Sequence, residues 1–451
     1  MRRVMAGLSI VAAVGMTGLA PMPKAGGAPS TRPTSRPNVL LLLMDDARTG
    51  EMFDMQRSLA WIQGDGRIYP NAMVSTPSCG PSRGSILSGR YAHNHQVTQQ
   101  GAVIRFDQSR SVQNELRNAG YHTAAVGKLI NGWKILARPP HFENWALTGG
   151  GYDNAKFVVD GMQTTAHYST SFIGSQVDQY IDRFARDDGN PWFIYAGFTA
   201  PHLPEIPEPR YAKLKFPWHG NPATHEVDRT DKPAYIRHFN HTQQAGAAER
   251  QAQLRTLRSV DDAIESIREK LVADGELRNT LVILTSDNGK LFGEHGLPEK
   301  FMPYLQAERV PLLISWPEHI TPGVDNRLAA NIDITPTILA AAGLRTSYQL
   351  DGRDLLSSNK RSALLAEYWK DPANGAGIPT WASTYVPNQY RYTEIYDDKG
   401  AVIDREYYNL ARDPWQLTNL FRDDDARDDP AIAPLAARLA QERRCVGMTC
   451  P

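Results

Sequence analysis

Along the chain, short unbroken apolar runs alternate with longer stretches in which apolar residues recur at helical spacing. The runs at 39–44 (VLLLLM), 123–126 (TAAV), 192–197 (WFIYAG), 281–285 (LVILT) and 311–315 (PLLIS) have almost no polar face. Such runs predict parallel strands covered on both sides. Between them, 112–119 is short and amphipathic, and 253–273 carries Leu254, Leu257, Val260, Ile264, Ile267 and Leu271 along one helical face. A further helix is expected at 334–342, with Asp333 placed to cap it. Strands alternating with helices predict an α/β fold, a large and mostly parallel sheet sandwiched by helices, over residues 38–350. Beyond residue 350 the texture changes. Alternating, tyrosine-rich runs at 391–396 and 403–408 flank Asp397-Asp398-Lys399-Gly400, a hairpin signal. A smaller C-terminal antiparallel β subdomain is therefore expected at 351–451.

Composition excludes several other classes. Of the 451 residues, 41% are hydrophobic and 22% charged, which fits a folded chain with a large core and not a disordered chain, coiled coil or polytopic membrane protein. Lys plus Arg and Asp plus Glu both number 49, so the balance is 49 − 49 = 0. No global field draws the chain to nucleic acid or an anionic membrane, and any bound anion needs a local site. Residues 1–20 start with two arginines and continue into a small-residue-rich apolar stretch, the pattern of a cleavable signal peptide. Glycine and threonine dilute it too far for a membrane anchor. Residues 21–37 read as a linker, and the expected location is secreted or periplasmic. In an oxidising compartment Cys445 and Cys450 can close a small loop. That leaves Cys79 as an odd cysteine, a candidate for chemistry.

In an open α/β sheet, ligands gather beyond the carboxyl ends of the strands. Here 39–44 runs into Asp45-Asp46, and 281–285 into Ser286-Asp287-Asn288-Gly289. Strand 123–126 leads to Gly127-Lys128, and 192–197 to Thr199-Ala200-Pro201-His202. Three acids, an amide, a lysine and a histidine are thus expected on one edge. Asp45, Asp46, Asp287 and Asn288 offer only oxygen, which suits Ca²⁺ or Mg²⁺ rather than Zn²⁺. An Asp-Asp pair alone more often caps a helix. Two such pairs of oxygen donors, Asp45-Asp46 and Asp287-Asn288, each just past an apolar strand, point to a metal. In the segment from Thr76 to Arg90, Pro81 suits a first helical turn. Cys79 is expected just before that helix, where N–H groups and the dipole favour an anion. Arg83, one turn on, can fork onto two oxygens of a tetrahedral anion.

Cys79-Gly80-Pro81-Ser82-Arg83 resembles the Cys-x-Pro-Ser-Arg signature of the type I sulfatases, within the alkaline phosphatase superfamily, and Ser88-Gly89-Arg90 resembles its continuation. The other blocks follow in order: Asp45-Asp46, Gly127-Lys128, Ala200-Pro201-His202, Ser286-Asp287-Asn288-Gly289, and Lys300 before Arg309-Val310-Pro311. The resemblance spans residues 38–420. It implies that a separate maturation enzyme oxidises Cys79 to formylglycine, whose hydrated gem-diol is both nucleophile and metal ligand. One hydroxyl attacks sulfur and the ester oxygen leaves; the second, once deprotonated, expels sulfate and restores the aldehyde. The implied metal is Ca²⁺, with Mg²⁺ as the alternative, on Asp45, Asp46, Asp287, Asn288 and the modified Cys79. Asp287 resembles the proton acceptor, Arg83, Lys128 and Lys300 surround the ester sulfate, and His202 serves the leaving oxygen.

One block departs from the pattern. Many members read Gly-Lys-Trp-His, whereas this chain reads Gly127-Lys128-Leu129-Ile130-Asn131. His93 and His95 are candidate substitutes for the missing histidine, with His95 preferred as a substrate contact. Gly-Lys-x-x-Asn, the His-Asn-His run, Ser259-Val260-Asp261-Asp262 and Asn331-Ile332-Asp333 look most like the N-acetylglucosamine 6-O-sulfatase branch. The implied substrate is then a sulfated carbohydrate, with aryl and choline sulfates left open. Trp133, His141, Trp145 and His167 are candidates for a sugar platform. Two other readings stand: a phosphate or phosphonate ester hydrolase of the same superfamily, and a glycan-binding protein that has lost catalysis. The cysteine motif and the lack of a second-metal ligand set disfavour the first. Retention of Cys79, Arg83 and the acidic pairs disfavours the second.

Overall fold

Alternate residues of the strand Asn38–Met44 serve two different cores. Leu40, Leu42 and Met44 pack with the helices Ser169–Ala185 and Gln243–Ala273, while Val39, Leu41 and Leu43 pack with Cys79–Ser88, Val112–Asn118 and Ile334–Ala341. A strand covered on both faces needs an apolar residue at every position, which is why the run is unbroken. The computed structural model describes residues 36–186, 189–375 and 377–451. The expected signal peptide at 1–20 and nearly all of the expected linker at 21–37 lie outside the described residues. Among those described, no helix is long and apolar enough to cross a membrane.

The main sheet has ten strands. Their order is Gly323–Val324, Gly66–Ile68, Leu312–Ser315, Thr280–Ser286, Asn38–Met44, Trp192–Gly197, His122–Gly127, Asn144–Thr148, Asp153–Val159 and Met162–Tyr168. From Thr280–Ser286 to Asn144–Thr148 the strands form one parallel block. With helices on both faces, the sheet is the expected α/β sandwich. One strand is corrected: Leu312–Ser315 is antiparallel to Thr280–Ser286, because an apolar run reports burial and not direction. Asp333 is also corrected. Its carboxylate accepts from the N–H of Ala330 at 2.8 Å and of Arg353 at 2.7 Å and pairs with Arg361, so it does not cap the following helix.

A second, four-stranded antiparallel sheet runs Leu364–Tyr368, Thr380–Val386, Tyr390–Tyr396 and Val402–Asn409, with the expected hairpin between the last two. It is joined to the segment before Leu312 by Arg391, whose buried guanidinium donates to both oxygens of buried Glu308 at 2.6 and 2.7 Å. Trp381 donates its indole N–H to the carbonyl of Phe301 at 2.8 Å, and so braces the segment that bears Lys300. Cys445 and Cys450 form a disulfide, and Cys79 is free and buried.

Candidate active site

The register of the parallel block brings four strand ends to one level. Leu43 lies beside Gly197, Gly197 beside Gly127, and Met44 beside Ser286. The next residues therefore emerge together: Asp45 and Asp46, Phe198, Lys128, and Asp287. Two glycines permit this convergence. A Cβ on Gly127 (φ 81°) would lie 2.0 Å from the carbonyl oxygen of Gly197, and one on Gly197 would lie 2.1 Å from that of Lys128.

Cys79 opens the helix Cys79–Ser88, with Ser78 at its N-cap in an extended conformation. It is thus the first helical residue rather than the one before. The N–H of Gly80 donates to the side-chain oxygen of Gln100 at 2.8 Å, so one donor of that first turn is already satisfied. Every residue of this helix is buried, and Gly89 ends it in the left-handed region.

Cys79 Sγ lies 3.4 Å from Asp45 Oδ1, 3.7 Å from Asp46 Oδ1 and 3.1 Å from Lys300 Nζ. Lys300 also reaches Asp46, and Lys128 reaches Asp45. Asn288 donates to Asp46 Oδ1 at 2.6 Å, and Asp287 Oδ1 accepts from the N–H of Asp46 at 3.1 Å. His202 holds Nε2 3.7 Å from Asp46 Oδ2, with Nδ1 2.9 Å from the carbonyl of Leu203. The sequence-derived residues Asp45, Asp46, Cys79, Lys128, His202, Asp287, Asn288 and Lys300 are therefore brought together.

Arg83 is brought in as well, but differently from expectation. Its guanidinium is fully buried and already engaged, with Nε donating to Asp287 Oδ2 at 2.8 Å. Nη1 donates to the carbonyls of Lys128 (2.7 Å) and Leu129 (3.1 Å) and to Tyr195 Oη (2.9 Å). These contacts brace Asp287 and the lysine loop, while Nη2 is buried without a hydrogen-bonding partner, 3.6 Å from Asp45 Oδ2. Tyr195, which passes its own proton to the Lys128 carbonyl at 3.0 Å, was invisible in the sequence. It sits inside an apolar strand with no motif around it, and its position in WFIYAG is the sole hint.

His95 is not brought to this group. Its Nε2 pairs with Ser85 Oγ at 3.0 Å, its Nδ1 accepts from the N–H of Val97 at 3.1 Å, and its ring packs against Gly84. Burial depresses its pKa to about 3, so it is a neutral core imidazole. His93 pairs with Glu367. Of the platform candidates, Trp145 lies under the guanidinium of Arg138 and His167 is exposed on the edge strand Met162–Tyr168, whereas Trp133, which donates to the carbonyl of Ala137, lines a smaller cavity that shares Lys128, Asn131 and Gly149 with the site. His141 occupies a turn at φ 64°.

Charge at the site is finely divided. Burial disfavours ionised Asp45, but Lys128, His202, Arg83 and Lys300 outweigh it and hold the carboxyl well below the usual range. Asp46 is lowered in the same way, against burial, chiefly by Lys300 and His202. Asp287 goes the other way, raised by burial and then by the neighbouring Asp45. The Cys79 thiol is pushed up by burial and by Asp287. Both lysines stay charged, because the carboxylates overcome their burial.

The residues fit a hard divalent cation. The ligand atoms of Asp45, Asp46, Cys79 and His202 lie within 4.8 Å of one another. Asp46 Oδ2 and Asn288 Oδ1 are buried without a hydrogen-bonding partner, which is costly unless something positive meets them. Above this floor opens a cavity of about 420 Å³, lined by Asp45, Lys128, His202 and Lys300 and walled in part by Gln100, Asn131, Glu299, Phe301 and Asn374. Of these wall residues, only Asn131 was marked by the sequence, in the Gly-Lys-x-x-Asn block.

Known proteins resemble this chain in sequence and fold. The profile described as Sulfatase matches residues 37–344, and the one described as N-sulphoglucosamine sulphohydrolase, C-terminal, matches residues 293–444. The chain is 31% identical to the extracellular sulfatase SULF-1 homolog of Drosophila melanogaster, over 74% of this chain but only 32% of that longer protein. It is 29% identical to the N-acetylglucosamine-6-sulfatase of Homo sapiens, over 92% of this chain and 86% of that one. Among solved structures, a protein in complex with its substrate D-glucosamine-2-N,6-O-disulfate superposes with a TM-score of 0.79 at 21% identity, covering 91% of this chain and 97% of that one. The phosphonate monoester hydrolase of Agrobacterium radiobacter superposes with a TM-score of 0.70 at 20% identity, covering 91% and 95%. At such identities the superpositions speak for the fold alone. The profile match over residues 37–344 is longer than half the chain and contains the whole cluster around Cys79, and on that ground the chain belongs to the sulfatase family of sulfate ester hydrolases.

Proposed function

We propose that the protein removes a 6-O-sulfate from N-acetylglucosamine or a related sulfated glycan, with Cys79 converted to formylglycine as the nucleophile. The observation that carries this reading is the meeting of Cys79 Sγ with Asp45, Asp46 and Lys300 beneath an open cavity. A thiol kept protonated by burial is a weak nucleophile as it stands, which agrees with a need for conversion. The choice of sugar is supported by the N-acetylglucosamine-6-sulfatases among the relatives.

Asp45, Asp46, Asp287 and Asn288 would hold Ca²⁺, or Mg²⁺ in its place, and such an ion supplies positive charge against sulfate oxygens and acidifies a bound hydroxyl. The chain's own groups bind and orient. Lys128 and Lys300 line the cavity floor as fixed ammoniums and draw in the single negative charge of an ester sulfate. Arg83 keeps Asp287 and the Lys128 loop in register. His202 donates through Nδ1–H to the Leu203 carbonyl, which leaves Nε2 for the leaving oxygen. Nε2 lies 3.7 Å from Asp46 Oδ2 at the cavity floor and would pass a proton to the departing alkoxide.

The test compares release of sulfate from N-acetylglucosamine 6-sulfate and 4-nitrophenyl sulfate with hydrolysis of a phenyl phosphonate ester. The protein is produced alongside a formylglycine-generating enzyme, and Cys79→Ala serves as control. Turnover of the sugar sulfate by wild type, lost in the variant, is expected. A faster phosphonate reaction, or a Cys79→Ala protein as active as wild type, would overturn the reading.

A further inference from the structure

The cavity over Cys79 holds its positive charge at the floor. Lys128 and Lys300 sit against Asp45 and Asp46, and His202 lies beside them. Among the described residues that line the cavity, the rest of the wall is neutral apart from one side chain, Glu299. This acid directly precedes Lys300 and takes the left-handed conformation, φ 63°. Its carboxylate is tied from behind: Oε1 lies 3.6 Å from the Nζ of Lys290, a lysine with no exposed side-chain surface. The same ammonium meets Glu205 at 3.0 Å and Glu249 at 3.4 Å. Glu249 has its own partner in His241 Nε2 at 3.1 Å, so Lys290 is left between Glu205 and Glu299, one ammonium against two carboxylates, and Glu299, with 34% of its side chain exposed, is the member that lines the cavity.

We propose that Glu299, anchored by Lys290, makes the cavity selective for sugars that bear one sulfate and no second anion. An N-acetyl or free amino group is accepted, because either can donate to a carboxylate. An N-sulfo group or a further O-sulfate on the same ring is rejected by like charge, with no spare cation to offset it. This rests on the 6-O-sulfate reading given above and names the substrate class within it. It also separates this cavity from one that takes D-glucosamine-2-N,6-O-disulfate, the substrate in the solved complex, since that sugar carries the second anion.

The experiment measures kcat/KM of the converted protein on N-acetylglucosamine 6-sulfate, glucosamine 6-sulfate and glucosamine 2-N,6-O-disulfate. It is repeated with Glu299→Gln and Glu299→Lys, after thermal melting has shown both variants folded. Wild type is expected to prefer the N-acetyl sugar over the disulfate by about tenfold or more. Glu299→Gln should shrink that ratio and Glu299→Lys should reverse it. Binding of the N-acetyl sugar and the disulfate to Cys79→Ala, read by calorimetry, should rank them in the same order without turnover. Equal rates on both sugars in wild type, or a ratio untouched in both variants, would remove Glu299 from this role and leave the 6-O-sulfate reading standing. Turnover of 4-nitrophenyl sulfate with none of any sugar sulfate would instead overturn the 6-O-sulfate reading, and this selectivity with it.

Discussion

At the scale of single residues, two histidines that stand two positions apart have opposite fates. Burial alone would lower the pKa of His93, but its contact with Glu367 raises it to about 9. Its stabilising charge is therefore fully present below pH 6.5, the value in an unfolded chain, and is lost as pH climbs through 9. His95, lowered to about 3 by burial, works in reverse: stability is intact above pH 6.5 and declines as pH falls towards 3. Urea unfolding across pH should show both slopes, with upper bounds of about 3 kcal/mol for His93 and about 5 kcal/mol for His95. His93→Gln should flatten the alkaline slope and leave the acid one. A different split is expected at His202. His202→Gln should reduce kcat/KM on a sugar sulfate by about 10²–10⁴-fold and on 4-nitrophenyl sulfate far less, since a phenolate leaves without a proton. An equal loss on both would assign the imidazole to binding. These residue environments were only partly legible beforehand. Asp45, Asp46, Cys79, Lys128, His202, Asp287 and Lys300 announced themselves through ordered motifs. The destination of Arg83 did not, because a motif names a side chain without saying which partners reach it first. Glu299 carries no motif, and only the cavity reveals it.

At the scale of elements, the site depends on how closely four strand ends and one helix can approach. Gly127→Ala adds a methyl group at a left-handed position, 2.0 Å from the Gly197 carbonyl oxygen. That should cost about 3 kcal/mol or more in stability and displace Lys128. Chemical denaturation measures the first effect, and a KM raised more than kcat is lowered would report the second. Strand and helix identity followed the degree of burial. Asn38–Met44, Trp192–Gly197 and Thr280–Ser286 are covered on both faces and so were readable as continuous apolar runs. Asp153–Val159 and the edge strand Met162–Tyr168 were not, since exposed polar side chains such as Asp153, Asn154, Lys156, Gln163, Thr164 and Thr165 interrupt them. The long helix begins at Gln243, ten residues before its apolar stripe, because its first turns are held by the Thr242 cap, by close packing of Gly246 on the Phe292 backbone and by the ion pair of Glu249 with Lys290, none of which leaves an apolar pattern. The direction of Leu312–Ser315 lay beyond reach for a different reason: pairing sense depends on the connection, not on the strand itself.

For the whole molecule, the two sheets act as one body partly through a single buried ion pair. Arg391 and Glu308 have no exposed side-chain surface, and each is the other's charged partner. Arg391→Ala would strand the Glu308 carboxylate and should destabilise the fold by about 3–5 kcal/mol. The double variant Arg391→Met with Glu308→Leu should recover most of that, because burying two apolar groups avoids the desolvation of two charges. Thermal melting of the three proteins checks both statements. The Trp381 bond to Phe301 runs across the same junction to the segment carrying Lys300, so loosening of the small sheet should lower activity before global unfolding. The central claim concerns one atom of one side chain. It is tested most directly by mass spectrometry of the peptide containing residue 79, from protein that actively releases sulfate. An aldehyde, or its hydrate, in place of the thiol is the expected result. Recovery of unmodified cysteine alone from such active protein would contradict it.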